Sequence, residues 1–371
     1  MFKKTLAAAA ILGAFAGSAF AADVTLYGVV DTGLDYVHTT KDGADSTDDF
    51  TMKTGQNAGN RWGLKGVEDL GNGMKVGFVL ESGFNADDGT LDNDGRLFGR
   101  EAKLYVQGAF GHLSFGRTGQ IMSGAGGYAV ASKIISMGTG IGSVGSGTAV
   151  FGGNNARWDN MITYQTPSFA GFQVTAQYSM QGNTVKEGGV ENKSSSDRYY
   201  GIGATYKVAG LELVGVVDTV NKKSYNVDTK TTTDPDDTFT ATLGGSYDFG
   251  VAKVYLAGQY FDHAVSFGKS IKYTGEKDLE GFGVNLGAAI PVAGGTVKAL
   301  VGYGEAEDQT LANKPEVKLY QAAAAYLYPL SKRTTVWGAA GYNYMDYNKA
   351  AEKKGNVKST SELTFGMTHT F

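Results

Sequence analysis

Apolar and polar residues alternate with a period of two along most of this chain. In residues 172–178 every even-numbered residue is apolar or aromatic and every odd-numbered residue is polar, and residues 363–371 again show period two. Successive side chains of a β-strand point to opposite faces, so the pattern predicts strands with one apolar face. Segments of about ten residues suit tilted strands that cross a membrane, whereas strands of soluble proteins usually have about 5–6 residues.

Short and long connections between these predicted strands alternate strictly. The short connections are rich in Gly, Pro, Asp or Asn, as tight hairpins require, and lie at 69–73, 108–111, 167–171, 209–210, 249–251, 291–295 and 329–333. The eight longer ones lie at 39–59, 85–95, 119–156, 181–197, 222–236, 264–277, 306–315 and 348–358. The pattern predicts an all-β fold, a 16-stranded antiparallel transmembrane β-barrel with both termini on the short-turn side. A barrel of this size leaves a lumen wide enough for water.

The first 21 residues have the features of a secretory signal. Lys3 and Lys4 precede an apolar stretch over 6–16, and Ala19-Phe20-Ala21 forms a small-x-small cleavage site. The alternative, a transmembrane anchor, would need a longer apolar run. We therefore expect a signal peptide over 1–21 and one barrel domain over 22–371, since no shift in composition marks a second domain.

Composition excludes several other classes of protein. The chain has no cysteine, 55 glycines, 5 prolines and a formal charge of −4, and no run of 18 apolar residues follows the signal. Disulfides, thiolate chemistry and helical membrane spans are therefore excluded. The GxGxxG match at 140–145 lacks a surrounding βαβ unit, and the four histidines are not spaced as zinc ligands. Acidic residues such as Asp45, Asp48 and Asp49 favour a solvated surface over a calcium site. We expect no enzymatic activity, cofactor, metal site or nucleic-acid partner.

A set of segments carries a family resemblance. They are residues 24–31, 61–71, 100–108, 115–117, 159–160 with 164, 167–172, and 366–371. Together they resemble the trimeric general porins of Gram-negative bacteria, particularly those of the β-proteobacteria. The resemblance implies a homotrimer in the outer membrane, surrounded by lipid and lipopolysaccharide, and a third outer loop folded into the lumen as a constriction. The alternating strand that ends at Phe371 resembles the signal that the barrel-assembly machinery recognises.

The connection over 119–156 is the longest in the chain and corresponds to that constriction loop. Long loops without regular structure are usually either functional or disordered. Three apolar pairs, Ile121-Met122, Ile134-Ile135 and Val150-Phe151, favour an ordered loop that packs against an inner wall.

Three arginines are candidates for the wall that faces this loop. The family resemblance places Arg61, Arg100 and Arg157 there, and alternation also turns Arg61, Lys65 and Arg157 inward. At Arg100 the two arguments disagree, because its alternation partners are apolar. An inward Arg100 would turn Glu101 and Lys103 outward, where charges are costly against lipid but tolerable at a subunit interface.

Charge in the loop departs from the family pattern of acidic loop residues opposite arginines. No Asp or Glu lies between Ala102 and Trp158, whereas this span contains Lys103, Arg117, Lys133 and Arg157. A narrow passage lined by one sign of charge enriches the opposite ion. The residues expected at the pore constriction are therefore Arg61, Lys65, Arg100, Arg117, Lys133 and Arg157, and they predict a preference for anions.

The function that fits best is a passive diffusion channel for small hydrophilic solutes and ions. One alternative is a substrate-selective channel for anionic metabolites, which saturation or block by one solute would distinguish. The other is a surface barrel without transport, such as an adhesin or an outer-membrane hydrolase. An adhesin would be expected to carry larger loops, and a hydrolase would need a nucleophile or an acid pair at the outer rim.

Overall fold

The computed structural model describes residues 24–124, 126–138, 140–142, 145–153, 157–180, 197–226, 231–233, 235–268 and 278–371. The expected signal peptide lies outside these residues and stays a prediction. Within the described residues, no helix is long and apolar enough to span a membrane.

Antiparallel strands make up almost all of the regular structure. The first ten are β1 (Thr25–Lys41), β2 (Ala44–Thr54), β3 (Arg61–Gly71), β4 (Met74–Gly83), β5 (Glu101–Gly108), β6 (Gly111–Gly119), β7 (Arg157–Gln165), β8 (Phe172–Ser179), β9 (Arg198–Val208) and β10 (Leu211–Asn221). The others are β11 (Ser224–Asn226), β12 (Thr231–Thr233), β13 (Thr238–Asp248), β14 (Lys253–Ala264), β15 (Leu279–Val292), β16 (Gly295–Asp308), β17 (Glu316–Pro329), β18 (Thr334–Tyr347) and β19 (Val357–Thr370). Two helical turns, Asp92–Gly95 and Ala131–Ile134, lie in loops.

The sheet closes into a barrel, because β1 pairs with β19 from Val29–Thr370 to Lys41–Val357. On its other edge β1 pairs with β2 near its outer end and with β3 near its start. β2 and β3 therefore share one position in the wall, and the 17 strands of the sheet form a 16-stranded barrel. β11 and β12 form a separate hairpin. The predicted fold class is confirmed.

The connections differ from the expectation at one place. The seven short turns fall where the sequence predicts them, but the first long connection, expected over 39–59, is mostly strand. β1 runs on to Lys41 and β2 begins at Ala44, so that only a two-residue turn separates them. The irregular part is a separate segment, residues 55–60, between β2 and β3. Residues 45–49 are all polar although they lie in β2, so a polar composition alone did not distinguish strand from loop.

The two faces of the wall differ in polarity. Large apolar side chains are exposed on the outer face, among them Leu243, Leu256 and Leu363. Inward positions on the neighbouring strands carry polar side chains such as Thr242, Gln259 and Asn343. An apolar outer band and a polar interior are what a barrel in a membrane requires.

The apolar core lies between one loop and the inner wall. The described residues between β6 and β7 (120–124, 126–138, 140–142 and 145–153) lie inside the barrel, and the six apolar residues expected to pack inward are all buried. They contact wall residues of β10 and β13–β18, including Val216, Phe261 and Leu319. Met137 and Ile141 pack against Leu300 and Trp337. Burial of each large apolar side chain stabilises the folded state by about 1.5–3 kcal/mol. This packing holds the loop against the wall although most of the loop has no regular secondary structure.

Glycines of the wall make room for this loop. A Cβ atom added at Gly244 would lie 2.9 Å from the side chain of Ile134, and one at Gly302 would lie 2.9 Å from Val150. At Gly283 it would overlap the carbonyl oxygen of Val150. Because these wall positions are glycines, the loop backbone lies closer to the wall than it could beside any residue with a side chain.

We expect the substitution Gly283→Val to displace the inner loop and leave the barrel closed. Overpacking of this kind costs about 1–3 kcal/mol, because the loop must lift from the wall. Trypsin should then cleave the folded protein after Lys133, which it should not do in the unsubstituted protein. The control is Gly258→Val on the outer face of β14, where an added Cβ has no neighbour closer than 3.6 Å. Equal resistance of both variants to trypsin would contradict the close contact.

Candidate functional site

Two arginines of the inner wall share one carboxylate. Arg61 begins β3, and its Nε lies 3.7 Å from Oε2 of Glu81 on the neighbouring β4. The Nε of Arg100 lies 2.6 Å from Oε1 of the same residue. Arg61 also donates a hydrogen bond of 2.8 Å to the carbonyl of Gly59. All three charged side chains are at least 70% shielded from solvent, so each guanidinium is held in one place rather than moving freely in the lumen.

Two more arginines share a second carboxylate. Asp159 on β7 accepts hydrogen bonds from Nη1 of Arg96 at 2.9 Å and from Nη1 of Arg117 at 2.6 Å. Arg117 on β6 also donates from Nε to the carbonyl of Gly99 at 2.7 Å. A carboxylate between two guanidinium groups holds them apart at a fixed spacing, because charge-assisted hydrogen bonds are short and directional.

Arg157, the first residue of β7, completes this set. Its Nη1 donates to Oδ1 of Asn93 at 3.0 Å, while its buried Nε has no hydrogen-bond partner among the described residues. We call Arg61, Arg96, Arg100, Arg117 and Arg157 the arginine cluster. Its members come from β3, β6, β7 and the connection between β4 and β5, and so occupy one side of the barrel. Glu81 and Asp159 are the carboxylates that the first four of these arginines bind.

On the arginine side the inner loop contacts the wall near its start, where the N–H of Gly127 donates to Oε1 of Glu101 on β5 at 3.3 Å and the hydroxyl of Tyr128 donates to Ser114 on β6 at 2.7 Å. The loop also packs against β9, β10 and β13–β18, and its far end reaches residues 55–60, where the N–H of Gly142 donates to the carbonyl of Gln56 at 3.2 Å. The remaining space lies between this loop and the wall of β3–β7, which carries the arginine cluster. A solute crossing the barrel therefore passes positive side chains on one side and a loop without acidic residues on the other.

The structure decides between the two arguments about the direction of the Arg100 side chain. Arg100 precedes β5, which begins at Glu101, so strand alternation does not apply to it, and its side chain turns inward to Glu81. Glu101 and Lys103 nevertheless also face inward, and they form a buried ion pair of 2.7 Å. The expectation that an inward Arg100 turns these two residues toward lipid or a subunit interface is wrong. The reason is that the backbone bends at Arg100, directly before β5, so that the side chains of Arg100 and Glu101 can both point inward.

The six expected constriction residues do not all lie together. Arg61, Arg100, Arg117 and Arg157 belong to the arginine cluster, and Lys65 follows on the same inward face of β3, 5.1 Å from the ring centre of Tyr27. Lys133 lies apart, on the loop, with its Nζ 3.0 Å from Oε1 of Glu212 on β10. Glu212 partly neutralises the charge of Lys133, which lies in a different part of the lumen from the arginine cluster.

Sequence reasoning missed three residues of this site. Arg96 lies in a connection, where no periodicity indicates the direction of a side chain. Glu81 and Asp159 lie on strands, and Asp159 is two residues from Arg157 on the same face, so alternation could have placed it inside. The pairing of each carboxylate with two arginines depends on neighbouring strands and could not be read from one segment.

Two motifs set aside in the sequence lie elsewhere. Residues 140–142 of the GxGxxG match belong to the inner loop, and no strand–helix–strand unit surrounds them in the described chain. The structure brings His263 together with Asp236 and Asp278, whose donor atoms lie within 4.8 Å of one another. His263 lies 2.5 Å from Asp278, which a hydrogen bond explains. The same geometry also suits a cation, so the expected absence of a metal site stays a prediction.

The comparisons with known proteins agree with this architecture. The family model described as Gram-negative porin matches residues 7–351. An outer membrane porin protein of Bordetella pertussis is 35% identical over 100% of both chains, and outer membrane porin protein 32 of Delftia acidovorans is 31% identical over 91% of this chain and 88% of its own. Among solved structures, an anion-selective porin from Comamonas acidovorans aligns with a TM-score of 0.70 and 26% identity, covering 94% of this chain and 100% of its own. The chain belongs to the Gram-negative porin family.

Proposed function

We propose that this protein is a passive channel of the outer membrane for small hydrophilic solutes and ions, with a preference for anions. The observation that carries the proposal is the arginine cluster opposite a loop without acidic residues, in which four arginines share two carboxylates and Arg157 bonds to Asn93. No catalysis and no energy source are needed, because the solute moves down its own gradient.

Electrostatics supports the preference for anions. The described loop residues contain no carboxylate, so only wall carboxylates offset the arginines, and Asp92 is a further acidic group near Arg157. A lumen with low-dielectric walls focuses the field of such charges and raises the local concentration of the opposite ion. The chain as a whole is negative, at −4, but much of that charge lies in outer segments such as 42–49, outside the passage.

A similar protein supports the same conclusion. The solved structure from Comamonas acidovorans is described as an anion-selective porin, and it shares the fold over almost the whole chain. Family membership also argues against the adhesin and hydrolase alternatives, because the matching relatives are porins.

Assembly and processing are further parts of the proposal. We propose a homotrimer in lipid and lipopolysaccharide, formed after removal of residues 1–21 and insertion by the barrel-assembly machinery. Phe371 exchanges backbone hydrogen bonds of 3.0 and 3.1 Å with Gly28, and its ring occupies the space that a Cβ at position 28 would need. The terminal aromatic residue is therefore part of the barrel seam as well as a candidate recognition signal.

We expect the refolded protein to open planar bilayers in steps of three and to select anions. With a potassium chloride gradient across the bilayer, the reversal potential should favour chloride. The preference should decline as ionic strength rises, because the Debye length falls from about 10 Å at 0.1 M to about 3 Å at 1 M. Clear selectivity for potassium from a folded, heat-modifiable barrel would contradict the proposal.

The substitution Arg157→Gln should weaken the preference for chloride. One unit charge about 8 Å from a passing ion in water is worth roughly 0.5 kcal/mol, so the permeability ratio should fall about twofold. Arg333→Gln is the matched control, because Arg333 lies at an exposed short turn outside the arginine cluster. An equal effect of both substitutions would mean that total charge, and not the arginine cluster, determines selectivity.

A second candidate function is selective passage of anionic metabolites. The guanidinium of Arg157, whose Nε has no hydrogen-bond partner within the described part of the chain, favours a site where an oxyanion binds during transit. Conductance that saturates or is blocked by a dicarboxylate at low millimolar concentration, but not by a neutral sugar of similar size, would support this function. Conductance that rises in proportion to the concentration of every small anion would support general diffusion.

A further inference from the structure

Residues 55–60 interrupt the barrel wall between β2 and β3. β2 ends at Thr54 opposite Thr32, and β3 begins at Arg61 opposite Val29, so six residues occupy the place of two in the wall. We call residues 55–60 the wall break. It folds toward the lumen, where Gln56 is 9% exposed and Asn60 is 3% exposed.

Asp31 on β1 holds the wall break from the side. Its carboxylate accepts hydrogen bonds from the N–H of Asn57 at 3.2 Å, from the indole N–H of Trp337 at 3.2 Å, and from the hydroxyl of Thr368. Its backbone C=O accepts from the N–H of Gly55 at 2.9 Å, and its N–H donates to Oδ1 of Asn60. Asp31 is 0% exposed, so the carboxylate depends on these neutral donors in place of water.

The wall break contacts both sides of the passage. On the loop side, the C=O of Gln56 accepts from Gly142 at 3.2 Å. On the arginine side, the C=O of Gly59 accepts from Arg61 at 2.8 Å. Gly59 also leaves room for Arg100, because a Cβ added there would lie 2.8 Å from Nη1 of that arginine.

We propose that Asp31 is a positioning residue of the pore. By holding the wall break, it sets the position of the loop at Gly142 relative to Arg61 and Arg100, although it touches none of the three. The inference rests on the proposed channel function, since it assigns Asp31 to the passage between loop and arginines.

A carboxylate is the side chain that suits this role. Each of its two oxygens accepts hydrogen bonds, whereas the amide of an asparagine would turn N–H groups toward one set of donors. An alanine would leave the N–H of Asn57 and the hydroxyl of Thr368 without this acceptor, and the indole N–H of Trp337 with Thr368 alone. Breaking a hydrogen bond to a charged group costs about 1.5–3 kcal/mol, which is a change of about tenfold or more in a local opening equilibrium.

The test measures hydrogen exchange of the Asn57 and Gly142 amides together with single-channel current in Asp31→Asn and Asp31→Ala. Exchange at both amides should accelerate about tenfold or more, open-channel current noise should rise, and the preference for chloride should fall. The matched control is Asp35→Asn. Asp35 is also buried on β1, but its carboxylate pairs with Lys53. This control should leave exchange at Asn57 and Gly142 unchanged.

The outcomes separate the two proposals. Unchanged exchange at both amides in folded Asp31 variants would overturn the positioning role. Faster exchange at both, in a protein whose unsubstituted form shows no preference for chloride, would support the positioning role and contradict the proposed function. If the Asp31 variants do not fold, Thr368→Val decides. It removes one donor to the carboxylate and also the hydroxyl that accepts from the side chain of Asn57 at 2.9 Å, so the readout is Gly142. Faster exchange at Gly142 supports the inference, and unchanged exchange there overturns it.

Discussion

The architecture depends on one constraint, which is that every backbone group of a wall in lipid must be hydrogen bonded within the protein. An unpaired N–H or C=O in hydrocarbon costs several kcal/mol, and closing the sheet through β1 and β19 leaves no free edge. The wall break between β2 and β3 shows how strict the constraint is. The chain leaves the ladder there by turning inward, where Asp31 and the loop provide partners for its backbone groups and the side chain of Asn60 accepts from the N–H of Asp31.

A closed polar lumen also determines how charge acts in this protein. Glu81 and Asp159 partly neutralise the arginine cluster, yet they also hold four of its guanidinium groups in place. Positioned charges in a narrow space act on each passing ion, whereas charges on exposed outer segments are screened by salt. The overall negative charge of the chain therefore does not determine the ion preference of the passage.

The inner loop is held by apolar packing and not by regular secondary structure. Ile134 and Val150 lie against wall glycines, and a few hydrogen bonds, such as Ser136 to the C=O of Ala299 at 2.7 Å, fix its register along the wall. Packing of this density resists small displacements, because a close-packed interior has few voids into which side chains can move. The width of the passage therefore depends on how the described loop residues pack against the wall.

The sequence by itself determined the barrel, because the alternation of apolar and polar residues is local and each strand and short turn carries its own signal. It also placed Arg61 and Arg157 inward, and it indicated an ordered loop over 119–156 from three apolar pairs. Only the tertiary structure decided where the first long connection ends, how Arg100 and Glu101 can both face inward, and which carboxylates bind the arginines. The physical reason is that these features depend on contacts between strands and loops that are distant in the chain. A strand period gives the face of a residue within its own strand but says nothing of the residues across the lumen.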